Sequence, residues 1–223
     1  MEKNLKVKLV SYSQPTEEFK ENKVDDIQEL VAFCARVSNP SNQFNNKTSD
    51  KLIAYLIKHK HFSPLEMVSA CIEIETTRDI ARQILRHRSF SFQEFSQRYA
   101  DPTTDLSFET REARLQDMDN RQNSVETNDE ALETAWQIQQ NNVILAAKNA
   151  YKWAIDHGIA KEQARAVLPE GNTVSRMYMN GTLRSWIHYI ELRSANGTQK
   201  EHMDIAKACA KVIAEIFPMA DDL

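Results

Sequence analysis

Residues 86–99 read RHRSFSFQEFSQRY. Arg86, His87 and Arg88 stand together, and Arg98 follows twelve positions after the first arginine. Ser89, Ser91 and Ser96 add hydroxyls, Glu94 adds a carboxylate, and Phe90, Phe92, Phe95 and Tyr99 interleave aromatic rings. Arginine presents a fixed fork of donors that matches phosphate oxygens. Serine hydroxyls add further donors. The rings can enter a core or flank a planar ligand. Cations closing a helix against its dipole are the plain alternative, worth ~0.3–1 kcal/mol each. That alternative accounts for one or two of the basic residues and leaves Arg98, Glu94, Ser96 and the aromatic spacing unexplained. The chemistry implied is the binding of anionic, planar ligands.

Three further clusters lie elsewhere. Arg184, His188 and Glu191 fall at i, i+4 and i+7, on one face of a helix that ends near Arg193. A solvated face is the competing reading. Arg165 sits among Ala164, Ala166, Val167 and Leu168, which would partly desolvate it. His61 opens the segment HFSPLE, where a lone histidine is more often a structural hydrogen-bonder than a catalyst. Ser96 has no positioned base beside it, so a serine nucleophile carries little weight.

Composition narrows the class. The chain has 223 residues and a formal net charge of −4, which argues against a nucleic-acid-binding domain. Anion binding must then be local. The four glycines, Gly158, Gly171, Gly181 and Gly197, cannot build a GxGxxG loop or a P-loop. Nucleotide phosphates must meet side chains or helix ends. Cys34, Cys71 and Cys209 are odd in number and widely spaced, so neither a disulfide framework nor a metal site is expected. No apolar run approaches the ~20 residues of a membrane helix, and the N-terminus does not read as a signal peptide. A cytoplasmic protein is expected.

The elements that must position these residues follow from periodicity. A strand is expected over residues 5–12, a helix over 25–37 and a loop over 39–46. Ser49 should cap a helix that runs to about His61, with Ser63-Pro64 as its stop. Residues 66–76 alternate as a strand, and 77–86 read as a helix that leads into the basic-aromatic segment. Residues 101–128 are polar, with little periodicity, and read as a long loop or mobile excursion. A long helix spans 129–157 and ends at Gly158. A short helix over 161–168, a strand over 173–179, a helix over 182–193 and an amphipathic helix over 199–217 complete the chain. With no repeat or linker, residues 1–223 form one α+β domain: an antiparallel sheet packed with several helices, one of them long.

Four ordered elements resemble those of the flavin-dependent thymidylate synthases, the ThyX family. They are Arg86-His87-Arg88 followed after seven residues by Ser96, with Arg98 and Tyr99 beyond; the HxSPxE-like segment at 61–66; ARxVLP around Arg165; and RSxxHYxxLR from Arg184 to Arg193. The resemblance runs from about residue 25 to 217. It departs at Gln93, where Asn is frequent, at Gln97, where Gly is frequent, in the polar stretch 101–128, and at His188, where some relatives carry Asn.

The resemblance implies an enzyme that makes dTMP from dUMP, with 5,10-methylenetetrahydrofolate as carbon donor, NADPH as reductant and FAD as cofactor. It implies a homotetramer whose active sites lie between subunits. By resemblance, Ser63, Arg86, His87, Arg88 and Glu94 contact FAD, and Thr182, Leu183, Arg184 and His188 complete that site from another subunit. The dUMP site takes Gln83, Ile84, Leu85, Arg86, Glu94, Phe95, Ser96, Gln97, Arg98 and Arg193, with Arg165 from a neighbouring chain. Arg193 would stabilise negative charge on the uracil ring, and His61 would bind or relay a proton near flavin and folate. No cysteine falls in a matched element, so no covalent enzyme nucleophile is expected. A nucleotide- or RNA-binding module and a flavin-binding relative without turnover are the alternatives.

Overall fold

The computed structural model describes residues 6–218. Strand β1 (Lys6–Tyr12) is followed by the short helix α1 (Glu17–Glu21) and by α2 (Ile27–Ala35). Helix α3 (Ser49–Lys58) leads through a 3-10 turn, Ser63–Glu66, into strand β2 (Ser69–Thr77). Helix α4 (Arg78–Ile84) and strand β3 (Ser91–Glu94) come next. A short helix α5 (Pro102–Asp105) precedes the strands β4 (Arg114–Gln116) and β5 (Ser124–Glu126). The long helix α6 (Glu130–Asp156), the short α7 (Lys161–Ala164), strand β6 (Val174–Thr182) and helices α8 (Leu183–Ser194) and α9 (Lys200–Ile216) end the described chain.

The main sheet has the order β1-β2-β6-β3, with every neighbour antiparallel. Side chains alternate across a strand, so one sheet face can be apolar and the other polar. On β2, Ala70, Ile72 and Ile74 are buried while Cys71, Glu73 and Glu75 point the other way. On β6, Met177, Met179 and Gly181 share the buried side. The core on that face takes Ile27 and Val31 from α2, Ile53 from α3, Trp186 and Tyr189 from α8, and Ile205, Cys209 and Ile213 from α9. Full burial of each large aliphatic or aromatic side chain contributes about 1.5–3 kcal/mol. A second, smaller cluster joins Tyr151 and Ala154 of α6 to Ala164 and Leu168.

Several expectations shift at their edges. Helix α3 ends at Lys58, three residues before His61, because Lys60 turns to a φ of 57°. Ser49 is not the cap. It is the first helical residue, its Oγ is buried without a partner, and Thr48 holds the cap position. The strand expected from residue 66 starts at Ser69, since Ser63–Glu66 is a 3-10 turn. The strand expected over 173–179 continues to Thr182. Helix α6 begins where its cap predicts, with the Asp129 carboxylate accepting from the Leu132 N–H at 2.9 Å, and stops before Gly158 at a φ of 75°.

The larger correction concerns residues 101–128, which are folded. Strands β4 and β5 form a hairpin, and Phe108 bridges to Thr173. Phe108 packs on the cluster around Tyr151, and charge pairs hold the rest of the segment down. Arg111 pairs with Asp79 at 2.6 Å, Arg114 with Glu201 at 2.5 Å, and Lys200 with Glu126 at 2.6 Å. No helix among the described residues is long and apolar enough to cross a membrane.

Candidate active site

Helix α4 delivers the basic segment to the sheet. Ile80 and Ile84 are fully buried, so the helix ends against the core and releases the chain at Arg86. Arg86 and Arg88 emerge exposed on either side of a half-buried His87. Phe90 returns to the core, where its ring lies 4.8 Å from Trp186 in edge-to-face contact. Strand β3 then pairs with β6 at the sheet edge, Phe92 opposite Met179 and Glu94 opposite Met177. One of the aromatics is thus a core anchor, while Tyr99 is 81% exposed. Neither Arg86 nor Arg88 has an ion-pair partner among the described residues, which leaves both cations open to an anion.

Arg193, in the last turn of α8, reaches this turn. Its Nε donates to His87 Nε2 at 2.8 Å. Burial, then the Arg193, His188 and Arg86 charges, lowers the His87 pKa to about 4. The His87 ring stands edge-on to Tyr189, with centroids 4.9 Å apart. Behind it, the fully buried His202 faces the Tyr189 hydroxyl at 3.2 Å and Gln83 Oε1 at 3.2 Å. Gln83 in turn donates to Gln199 at 2.8 Å.

Glu94 is occupied by the chain itself. It pairs with Arg82 at 3.0 Å and Arg78 at 3.6 Å and accepts from the Ser175 hydroxyl at 2.8 Å. Its carboxylate ties α4 to β6. Ile84 and Leu183 are fully buried, so only their backbone groups face outward. Gln97 is buried with Nε2 unpartnered among the described residues, a donor left for a ligand or another chain. Ser96 Oγ accepts only a long contact, 3.4 Å, from the Arg98 N–H. Arg98 lies 3.5 Å from the Glu162 carboxylate, and Arg165 Nε donates to the Glu162 carbonyl at 3.3 Å. Both arginines thus have Glu162 as a neighbour.

A cleft of about 620 Å³ opens beside the basic turn. Thr182, Arg184, His188 and Glu191 line one wall, Phe62, Glu66 and Met67 the other, and Ser89 joins them. The i, i+4, i+7 face of α8 is thus a cleft wall. Thr182 caps α8, accepting from the Ser185 N–H, so the positive end of the helix dipole opens here. Arg184 is ion-paired with Glu66 across the mouth. His61 and Ser63 are exposed and outside the lining; the His61 ring sits 6.0 Å from Tyr55 and 6.2 Å from His59.

The donor set suits an anionic dinucleotide: open cations at Arg86 and Arg88, a capped helix start, hydroxyls at Ser89 and Thr182, and apolar Phe62 and Ile187 for a planar ring. Sequence reading missed Arg78, Arg82, Gln199, Glu201 and His202. One signal was present. His202 lies on the apolar stripe of α9 with Ile205, Ala206, Cys209, Val212 and Ile213, and a buried imidazole needs partners.

A family model described as thymidylate synthase complementing protein matches residues 21–219. A probable flavin-dependent thymidylate synthase of Paramecium bursaria Chlorella virus 1 is 48% identical over 217 residues, 96% of either chain. The flavin-dependent thymidylate synthase of Synechocystis sp. is 49% identical over 189 residues, 85% of either chain. The solved structure of the UMP/dUMP methylase PolB from Streptomyces cacaoi, bound with 5-Br UMP, superposes with a TM-score of 0.80. That match covers 98% of this chain and 92% of the other at 25% identity. Matched along nearly its whole length by both the family model and these relatives, the chain belongs to the thymidylate synthase complementing protein family, that of the flavin-dependent thymidylate synthases.

Proposed function

We propose that this chain is an FAD-dependent thymidylate synthase, converting dUMP to dTMP with 5,10-methylenetetrahydrofolate as carbon donor and NADPH as reductant. The observation that carries the reading is the meeting of Arg193 with His87 in the turn that also exposes Arg86 and Arg88. FAD, when bound, supplies the redox chemistry that links NADPH to the transferred carbon. Arg86 and Arg88 neutralise phosphate charge. The Arg193 guanidinium stabilises negative charge that develops on the pyrimidine. Gln83, Gln97, Arg98 and Arg165 serve the nucleotide, and the α8 wall of the cleft serves the cofactor.

Among the described residues, neither Ser96 nor a cysteine is set up as a covalent nucleophile. Ser96 lacks a base among its partners. Burial pushes the Cys34 and Cys71 thiols up and the Cys209 thiol far up, away from the thiolate. The ring must be activated electrostatically instead.

A homotetramer with shared sites is part of the same proposal. Helix α6 supports it, because Leu132, Trp136, Val143 and Trp153 repeat at heptad-like spacing and remain 39–58% exposed. An apolar stripe of this length on a long helix calls for a partner. The cytoplasm is the proposed compartment, in keeping with three free thiols.

The test pairs two readings on one sample: visible flavin absorbance, then dTMP formation from dUMP, methylenetetrahydrofolate and NADPH at low oxygen. Flavin in both wild type and Arg193→Ala, with dTMP only in the wild type, is expected. Flavin without dTMP would instead mark a flavoprotein without this turnover. A protein that takes up no added FAD yet retains oligonucleotide at moderate salt would be a binding module.

A further inference from the structure

We infer that His87 is a positioning residue for Arg193: its neutral imidazole, protonated on Nδ1, accepts the Arg193 Nε–H and aims the free end of the guanidinium into the site. Arg193's role at the pyrimidine rests on the function proposed above; the hydrogen bond itself does not. Family resemblance places His87 on the flavin, and the geometry assigns its ring a different task.

The donor rules determine the tautomer. A guanidinium has five N–H donors and no acceptor, so the 2.8 Å contact requires a lone pair on His87 Nε2. The remaining proton then sits on Nδ1. Holding Arg193 by Nε leaves all four terminal N–H groups for a ligand. None has a partner among the described residues. That planar end is the part that can engage a carbonyl and ring-nitrogen edge in two parallel bonds.

The imidazole is itself held. Its ring is edge-on to Tyr189, fully buried on α8, and 6.4 Å from His202 on α9. His202 Nδ1–H donates to Gln83 Oε1, so its Nε2 is left to accept from the Tyr189 hydroxyl. Gln83 passes the direction on to Gln199, which donates to Glu201 at 2.9 Å, where Arg114 also donates. Successive hydrogen bonds from His202 through Gln83 and Gln199 to Glu201 each join one donor to one acceptor, so the wall behind His87 is set in one orientation. The neighbouring cations Arg86 and Arg193 disfavour a charged His87, which is consistent with an acceptor.

A long, flexible side chain loses rotamer freedom when it must point in one direction. His87 settles part of that cost before the nucleotide arrives. A hydrogen bond to a charged group is worth about ten- to a hundredfold in an equilibrium constant. Loss of the acceptor should weaken dUMP binding by that factor while sparing flavin.

The test uses full-length protein. His87→Phe keeps a ring against Tyr189 and removes the acceptor, whereas His87→Gln restores an acceptor. With 15N-histidine labelling, the His87 signal, assigned by its loss in His87→Gln, should show an unprotonated Nε2 and a protonated Nδ1. It should shift in Arg193→Ala. This readout needs no turnover, so it judges the hydrogen bond even where the synthase reading fails. For the nucleotide, His87→Phe should retain flavin and lose about tenfold or more in dUMP affinity. His87→Gln should recover most of that loss. The same His87→Phe change should cost under about twofold in the Arg193→Ala background, because the two act as one unit. An Nε2-protonated His87, loss of flavin in His87→Phe alone, or an undiminished effect in Arg193→Ala would each overturn the inference.

Discussion

Gly181→Ala tests how the basic turn is anchored. Gly181 lies in β6 opposite Ala70, on the buried face of the sheet. A Cβ built there meets Phe90 Cδ1 at 2.4 Å and Cε1 at 2.6 Å, with Cγ at 3.2 Å. Carbon atoms pack best at about 3.5–4.0 Å, so the ring must retreat by roughly 1 Å. It has little room. Trp186 stands 4.8 Å away edge-to-face, Tyr189 lies at 6.0 Å and Phe92 at 6.2 Å. Overpacking of this kind costs about 1–3 kcal/mol. Replacing a mid-strand glycine by alanine returns about 0.5–1 kcal/mol of backbone entropy. Over most of these ranges the clash wins, leaving a net loss of up to about 2.5 kcal/mol. For a chain of this size that is up to about 10 °C in Tm, read by calorimetry. Because Phe90 sits two residues beyond Arg88, flavin content should fall with Tm. Phe90→Leu should soften the clash, so Gly181→Ala should cost less in that background. A Gly181→Ala protein with wild-type or higher Tm and full flavin would show that Phe90 moves freely, and the anchoring argument would fail.

Two further predictions concern acid stability and assembly. His87 and His202 are held neutral by burial, with pKa values of about 4 and about 3 against an ordinary 6.5. The unfolded chain binds both protons first, so stability is intact above pH 6.5 and falls as pH drops towards those folded values. Each histidine contributes a slope of up to about 1.4 kcal/mol per pH unit. Urea midpoints measured from pH 8 to pH 5 should therefore fall, and should fall less in His202→Gln; identical profiles for the two proteins would be contrary to this account. Introducing charge on the exposed stripe of α6, as Trp136→Glu with Trp153→Glu, should lower the mass seen by light scattering while leaving the monomer folded. An unchanged mass would remove α6 from the interface.

How much could be read beforehand varied with the kind of force involved. The strand β1 and the helices α2, α6, α8 and α9 were legible because each repeats apolar residues at its own period. Hairpin β4–β5 was not, since its strands are three residues each and largely exposed. What holds it are Arg111 with Asp79 and Arg114 with Glu201, pairs separated by 32 and 87 positions. Ser49 looked like a cap because its residue type favours one, yet the helix starts one residue earlier than that role requires.

Sequence by itself determined the class of chemistry and nominated the groups proposed to carry it. Clustered arginines, serines and aromatics without a glycine loop mean side-chain capture of anionic ligands, whatever the fold. Tertiary structure alone decided which of those groups remain free. Glu94 is consumed by Arg78, Arg82 and Ser175, Phe90 and Ile84 belong to the core, and Arg193 is aimed by His87. Residue type fixes what a side chain can donate or accept. Only the folded chain, bringing together residues more than a hundred positions apart, determines which donors and acceptors already have partners and which are left for a ligand.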